Sequence, residues 1–318
     1  MTALHWHRPL MLLAIVMALL VLFSIGGLIV DDRILTGLPI WAKAVKFALS
    51  VLIYAVTWAW LIAQLTRWWL ISWWAGTVAA VGLGVELAVI VTQIVRGTTS
   101  HFNFTTPLDA ALWDTMGLSI VVVWVATLVV SLVLFRNPAP DPARNAAIRY
   151  GAGLSLIGAA LGILMVVPTQ AQRQTGSAIR GAHTVGLPDG GPGLPILGWS
   201  TTGGDLRIPH FVGMHAVQLL ALVVIALEFG ARRITVLRSA RSRAALVTVA
   251  AAGFGGVLAV LTWQALRGQS LVHPDGPTLL ALGVISTAAA GSALLIMRRR
   301  PRSTLIAPEP RRAIGATR

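Results

Sequence analysis

Cysteine is absent from the 318-residue chain, and charged side chains are scarce, at 11%. The first absence excludes disulfides, thiolate metal sites and covalently attached c-type haem. The second excludes an ordinary soluble domain, in which about a quarter of residues are charged. No nucleophile–base–orienter set, phosphate-cradling loop or dinucleotide fingerprint occurs, so ordinary hydrolase and NAD-enzyme chemistry has no motif to rest on. Acidic residues are the scarcest, 11 against 25 Lys and Arg, for a net charge of +14. Most of that excess lies in short loops and the tail. This pattern fits membrane topology and not a phosphate-tracking face, and no nucleic-acid partner is expected.

What the chain has in abundance is apolar length: 56% hydrophobic residues and a mean hydropathy of +0.78. A helix needs roughly 20 apolar residues to cross a bilayer. Eight runs meet that need, at 9–30, 45–65, 71–95, 108–135, 148–168, 208–230, 244–266 and 277–297. The first is too long for a signal-peptide core and ends in Val30-Asp31-Asp32-Arg33 without a small-residue cleavage site, so it is expected to stay as a helix. Roughly two thirds of the Lys and Arg residues fall on the side of the amino terminus, which predicts both termini in the cytoplasm of a bacterial inner-membrane protein. Trp68, Trp69, Trp73 and Trp74 gather at the turn after the second run, where an interfacial belt belongs.

Pairing helices four apart exposes a repeat. Gln93-Ile94-Val95-Arg96-Gly97 ends the third run and Gln264-Ala265-Leu266-Arg267-Gly268 ends the seventh. Arg33 to Gly37 and Arg173 to Gly176 follow the first and fifth. The expected fold is therefore an all-α polytopic membrane helical bundle, with eight transmembrane helices as two parallel four-helix repeats. The repeats span 1–140 and 141–300, the second carrying a long outer loop at 169–207. A basic, disordered tail is expected at 301–318, serving topology and headgroup contact.

The loop is glycine-rich and carries histidine and arginine where the flanking chain has almost none. Connections this long are functional or disordered, and Leu194, Ile196, Leu197 and Trp199 argue for a packed lid. The repeat puts Arg33, Arg96, Arg173 and Arg267 at the outer helix ends, against the positive-inside rule. Guanidinium suits bidentate contact with carboxylate or phosphate, so a ring of anion receptors is expected. The alternative is that each arginine snorkels to a headgroup or pairs with Asp31, Asp32, Asp109 or Asp205. Lys43 and Lys46 enter the second helix on the same side and extend the anion set, unless they only anchor the interface.

Glu86 and Asp114 fall inside the third and fourth helices, where a carboxylate is costly and points to function or to helix–helix hydrogen bonding. Gln93 shares a helix face with Glu86; Gln264 is its partner in the repeat. His101, His183, His210, His215 and His273 fall on the outer side, with His5 and His7 before the first helix. His215, with Gln218 a turn further on, is the leading metal or haem ligand, and His273, His101 and His210 are the other candidates. A hydrogen-bonded packing histidine is the plainer reading.

This layout resembles haem A synthase, a family with eight helices in two four-helix units, inside termini and an extended outer loop before helix six. The resemblance implies haem ligation by outer-end histidines, with His215 at the helix-six position and His101 and His273 nearest the helix-four and helix-eight positions. The chain departs from the family where Ala216 follows His215 in place of arginine. His273 precedes helix eight, Lys46 stands where a histidine is expected, and the loop lacks cysteine. The layout also resembles multi-pass bacterial membrane proteins more broadly.

Three functions are consistent with these residues. The first is a pocket for a small anionic amphiphile, haem included, with arginines on its carboxylates and His215 on the iron. The second is a proton- or ion-coupled transporter using Glu86, Asp114 and the histidines. The third is a non-catalytic assembly factor whose lid docks a partner.

Overall fold

The computed structural model describes residues 6–298; the tail expected at 301–318 lies outside the described residues. The described residues are 71% helical. Its helices are α1 (Arg8–Val30), α2 (Ala42–Ala63), α3 (Trp69–Val95), α4 (Pro107–Arg136), α5 (Pro142–Ala160), α6 (Ile163–Val166), α7 (Gln170–Thr175), α8 (Arg207–Met214), α9 (Ala216–Gly230), α10 (Ala240–Leu266) and α11 (Gly276–Met297). Seven helical segments are long and apolar enough to cross a membrane, and an eighth crossing exists if α8 and α9 form one bent span. The protein is a multi-pass integral membrane protein.

Local chemistry sets the helix starts. His7 Nδ1 accepts from Leu10 N–H, and Thr106, Asp141, Ser239 and Asp275 cap α4, α5, α10 and α11. Proline opens α4 and α5, where its missing N–H costs nothing. The ends are as regular. Gly97 and Gly268 close α3 and α10 at φ +73° and +72°. Thr98 and Gln269 then donate back to the carbonyls of Gln93 and Gln264. That is the Schellman closure, and only glycine enters it without strain.

In the first half α1 packs on α2 and α3 on α4, with α2 beside α3; in the second α5 packs on α8–α9 and α10 on α11, with α10 beside α5. The halves meet where α4 lies against α5, and the Trp124 indole donates to Leu156 O across that seam. The main core lies in the first half, around Leu10, Trp58, Leu87 and Ile90.

The sequence predicts one unbroken helix over 208–230. The chain instead breaks at His215, where α8 and α9 are bent by 45°. The cause is local: α5 and α8 cross backbone to backbone at Gly158 and Gly213. Just past that crossing, Ser155 Oγ accepts the Val217 N–H at 3.0 Å. A side chain inserted into the helical ladder is a recognised cause of a kink.

Between α1 and α2 runs a two-residue hairpin, β1 (Ile34–Leu35) and β2 (Leu38–Pro39), in antiparallel register Ile34↔Pro39. The long loop is ordered. It holds α7 and a second antiparallel pair, β3 (Thr184–Val185) and β4 (Gly204–Asp205). Every other loop on its side of the bundle grips it. Phe104 N–H donates to Ala178 O and Arg180 N–H to Phe102 O. Ser270 Oγ donates to Ser200 O, and a Cβ on Gly37 would lie 2.8 Å from Gly190 O. The loop is packed on the bundle as expected, but Ile196, one of the four residues expected to pack it, is exposed, while Leu194, Leu197 and Trp199 are half-buried.

Candidate functional site

One face of α2 carries the polar groups that meet the rest of the molecule. Lys43, Lys46, Phe47, Ser50 and Tyr54 recur at helical spacing and turn inward. Lys43 Nζ donates to Ser100 Oγ at 2.7 Å and lies 3.0 Å from His101 Nδ1. Lys46 Nζ donates to the Leu197 carbonyl of the lid at 2.8 Å. Ser50 Oγ lies 3.0 Å from His215 Nε2, at the helix break. Tyr54 Oη lies 2.7 Å from Thr127 Oγ1 on α4.

Above this face the lid brings its own groups. His183 Nδ1 lies 2.6 Å from Asp189 Oδ2, and the backbone N–H groups of His183 and Thr184 also donate to that carboxylate. Burial alone would raise the Asp189 pKa, but those donors outweigh it and hold the carboxyl well below the usual range. Burial holds the His183 imidazole below the ordinary histidine value. His101 is held lower still, by burial first and then by the nearby positive charge of Lys43. The rings of His101 and His183 are 6.2 Å apart, within an aromatic wall of Phe47, Phe102 and Trp113. A second line of rings, Trp199 to Phe211 to His215, links the lid to the helix break.

A cavity of about 350 Å³ opens in the lid, with Thr184, Asp189, Gly198, Ser200 and Arg207 on its walls. Arg207 is paired with Asp205 at 2.5 Å and donates to Gly198 O. Lys46 and Arg207 therefore both hold lid carbonyls, at neighbouring residues 197 and 198.

The four arginines of the predicted ring occupy separate places. Arg33 pairs with Asp31 at 2.7 Å, Arg96 with Asp109 at 2.5 Å and Arg267 with Asp275 at 2.7 Å. Arg173 is exposed and donates to Pro168 O. Three of the four thus have a carboxylate of their own; Asp31 and Asp109 are among the partners weighed from the sequence, and Asp275 is not. The repeat motif explains two of them. Gln93 and Gln264 each donate to a backbone carbonyl six residues on. Arg96 and Arg267 each reach the aspartate that opens the next helix. Neither Lys43 nor Lys46 has a carboxylate within ion-pair distance among the described residues.

Glu86 and Gln93 are both buried on α3, at 4% and 1% exposure. Asp114 is exposed on α4. Among the described residues Glu86 Oε2 and Gln218 Oε1 are buried without a hydrogen-bond partner. His210 Nδ1 lies 2.9 Å from Gly158 O, and His273 is exposed on its loop. Among the described residues no three His, Cys, Asp or Glu side chains gather to hold a metal ion. The cavity wall carries none of His101, His210, His215 or His273, so the residues that line it do not fit an axially ligated haem.

Sequence reasoning missed Ser50, Tyr54, Ser100, Asp189 and Arg207. Ser50 and Tyr54 had a detectable signal, since they lie on the helical face that Lys43 and Lys46 define. Set against known proteins, the chain matches no family model, no curated protein and no solved structure.

Proposed function

We propose that the protein binds a small anionic amphiphile, bearing a carboxylate or a phosphate, between α2 and the lid. One observation carries this reading: Lys43 and Lys46 are half-buried and turned inward, and neither is ion-paired among the described residues. Burying an ammonium without a counter-charge is expensive. Their present acceptors are the neutral oxygen and nitrogen of Ser100, His101 and Leu197. An anion makes hydrogen bonds about twice as strong and displaces such acceptors. The aromatic wall suits the apolar part of the ligand, and the lid cavity is its way in.

On the charge distribution, the bilayer is the bacterial cytoplasmic membrane with both termini inside. The matching helix pairs of the two halves support two parallel four-helix units, 1–140 and 141–300.

Calorimetric titration of the detergent-purified protein tests the binding. Hexanoate, short-chain phosphatidic acid and inorganic phosphate separate a fatty carboxylate, a lipid headgroup and a free ion as the source of the charge. The two amphiphiles are expected to bind, and Lys43→Met or Lys46→Met to weaken them by about tenfold to a hundredfold. If neither amphiphile binds, or if both lysine variants bind as tightly as the parent, the reading is wrong.

A further inference from the structure

We infer that Lys46 and Arg207 together grip two oxygens of the ligand's anionic head, and that the carbonyls of Leu197 and Gly198 hold that place until the ligand arrives. The inference rests on the anion reading above and deepens it. Arg207 becomes a receptor, and the tip of the lid becomes the part that moves.

The two cations reach the same spot from different helices. Lys46 Nζ, on α2, donates to Leu197 O at 2.8 Å, and Arg207 Nη2, at the start of α8, donates to Gly198 O. Successive Cα atoms of a chain lie about 3.8 Å apart, so both charges converge on one short stretch of backbone. Neither contact uses its donors fully. An ammonium carries three N–H groups, and Lys46 has one acceptor among the described residues. Arg207 turns its Nε–Nη2 edge to the Asp205 carboxylate, at 2.9 and 2.5 Å. Its other edge, Nη1 and Nη2, meets only the Gly198 carbonyl, and Nη1 has no partner among the described residues. One carbonyl oxygen half-fills an edge that a carboxylate or phosphate fills with two. Asp205 is 1% exposed and also accepts the Ser200 N–H, so the guanidinium stays oriented whatever the tip does.

The tip is able to leave. Leu194 N–H donates to Trp199 O and Gly198 N–H to Leu194 O, so residues 194–199 close on themselves. Thr201 N–H donates to Pro192 O and holds the base of this small hairpin separately. Ile196 stands at φ +65°, a left-handed conformation that a β-branched residue rarely adopts. Such strain persists where surrounding contacts impose it, and the two cations supply contacts on either side of the next peptide bond. Gly198 and Arg207 both line the lid cavity, so a ligand entering there meets the clamp directly. Two part-buried cations are a costly way to fix a neutral turn, whereas an anion makes hydrogen bonds about twice as strong with them. No covalent bond changes: the ligand's oxygens replace two carbonyl oxygens, and the tip is released.

Because the chain lacks cysteine, Ile196→Cys at this exposed position carries a single nitroxide label. Hexanoate titrated into the full-length protein in detergent is expected to mobilise that label. In the unlabelled protein it should quicken hydrogen exchange over 194–199 at fixed pH. Lys46→Met should loosen the tip before any hexanoate is added. Replacing Arg207 alone would strand the buried Asp205, so Arg207→Gln is combined with Asp205→Asn. Calorimetry of this double variant is expected to show hexanoate bound about tenfold or more weakly than by the parent. Hexanoate binding that leaves the tip as ordered as before, by label and by exchange, would overturn the inference. So would a double variant that binds hexanoate as tightly as the parent, and in either case the anion reading stands. Absence of any binding to the parent overturns both.

Discussion

Ser50 Oγ and His215 Nε2 meet at 3.0 Å, which ties α2 to the residue between α8 and α9. The hydrogen bond joins the halves at the point where α8 gives way to α9. Ser50→Ala and His215→Ala are each expected to lower stability by about 1 kcal/mol. The double variant should lose little more than either single one, because both remove the same bond. Thermal unfolding in detergent reads the cycle, and fully additive losses would show that the two side chains act independently.

The rim arginines should differ in how much they matter to folding. Asp109 is buried, at 3% exposure, and takes hydrogen bonds from Gln93, Thr106 and Arg96. Removing Arg96 leaves that carboxylate short of its cation, and Arg96→Ala is expected to cost on the order of 2–3 kcal/mol. Arg33→Ala is expected to change the melting temperature little, since its pair with Asp31 is open to solvent. Equal losses from the two variants would contradict this ranking.

Acidification should loosen the lid. His183 and His101 both have pKa values lowered by burial in the folded state. The unfolded loop therefore binds more protons as pH falls below about 6.5, and lid stability drops with it. Asp189 works in the other direction of titration: its depressed carboxyl contributes stability above the ordinary carboxylate range, which is lost only as pH falls through its lowered value. Hydrogen-exchange protection across 183–205, taken relative to the intrinsic amide rate at each pH, should thus fall from neutral pH toward pH 5, before Asp189 titrates. A His101→Gln, His183→Gln double variant should lose most of that pH dependence. Protection that stays constant with pH in the parent protein would refute the burial argument.

The crossing of α5 and α8 leaves no room for a side chain. A Cβ on Gly158 would strike the backbone of Gly213, and one on Gly213 would lie 2.5 Å from Gly158 Cα. Backbone cannot swing aside as a rotamer can, so Gly158→Ala is expected to destabilise by about 1–3 kcal/mol. Gly153→Ala, on the same helix with open space around it, serves as the control and should be close to neutral.

Much of this architecture could be read from the chain because apolar length and punctuation are local properties. The spans at 45–65, 71–95, 108–135 and 277–297 lie within a few residues of α2, α3, α4 and α11. The two Gln-x-x-Arg-Gly motifs end their helices in the same closure. The break at His215 was not legible, because its cause is a hydroxyl on another helix, Ser155, and a glycine contact between helices. The same holds for the site. Lys43, Lys46, Glu86, Gln93, His101 and His215 stand out as polar residues in apolar surroundings. Ser100 and Asp189 do not, since serine and aspartate are ordinary in loops, and only the fold sets them beside Lys43 and His183. The arginine ring illustrates the opposite difficulty. A sequence displays four cations at helix ends without showing that Asp31, Asp109 and Asp275 already hold three of them.

The most direct test of the anion site is to locate a heavy-atom anion. Crystals of the protein grown with 6-bromohexanoate, measured at the bromine edge, place the ligand without reference to any activity. An anomalous peak between α2 and the lid, with the carboxylate within hydrogen-bond reach of Lys43 or Lys46 and the bromine against the aromatic wall, is the predicted result. Bromine density only along the lipid-facing surface, or at Arg33 and Arg267 with the lysines still bound to Ser100 and Leu197, would contradict it.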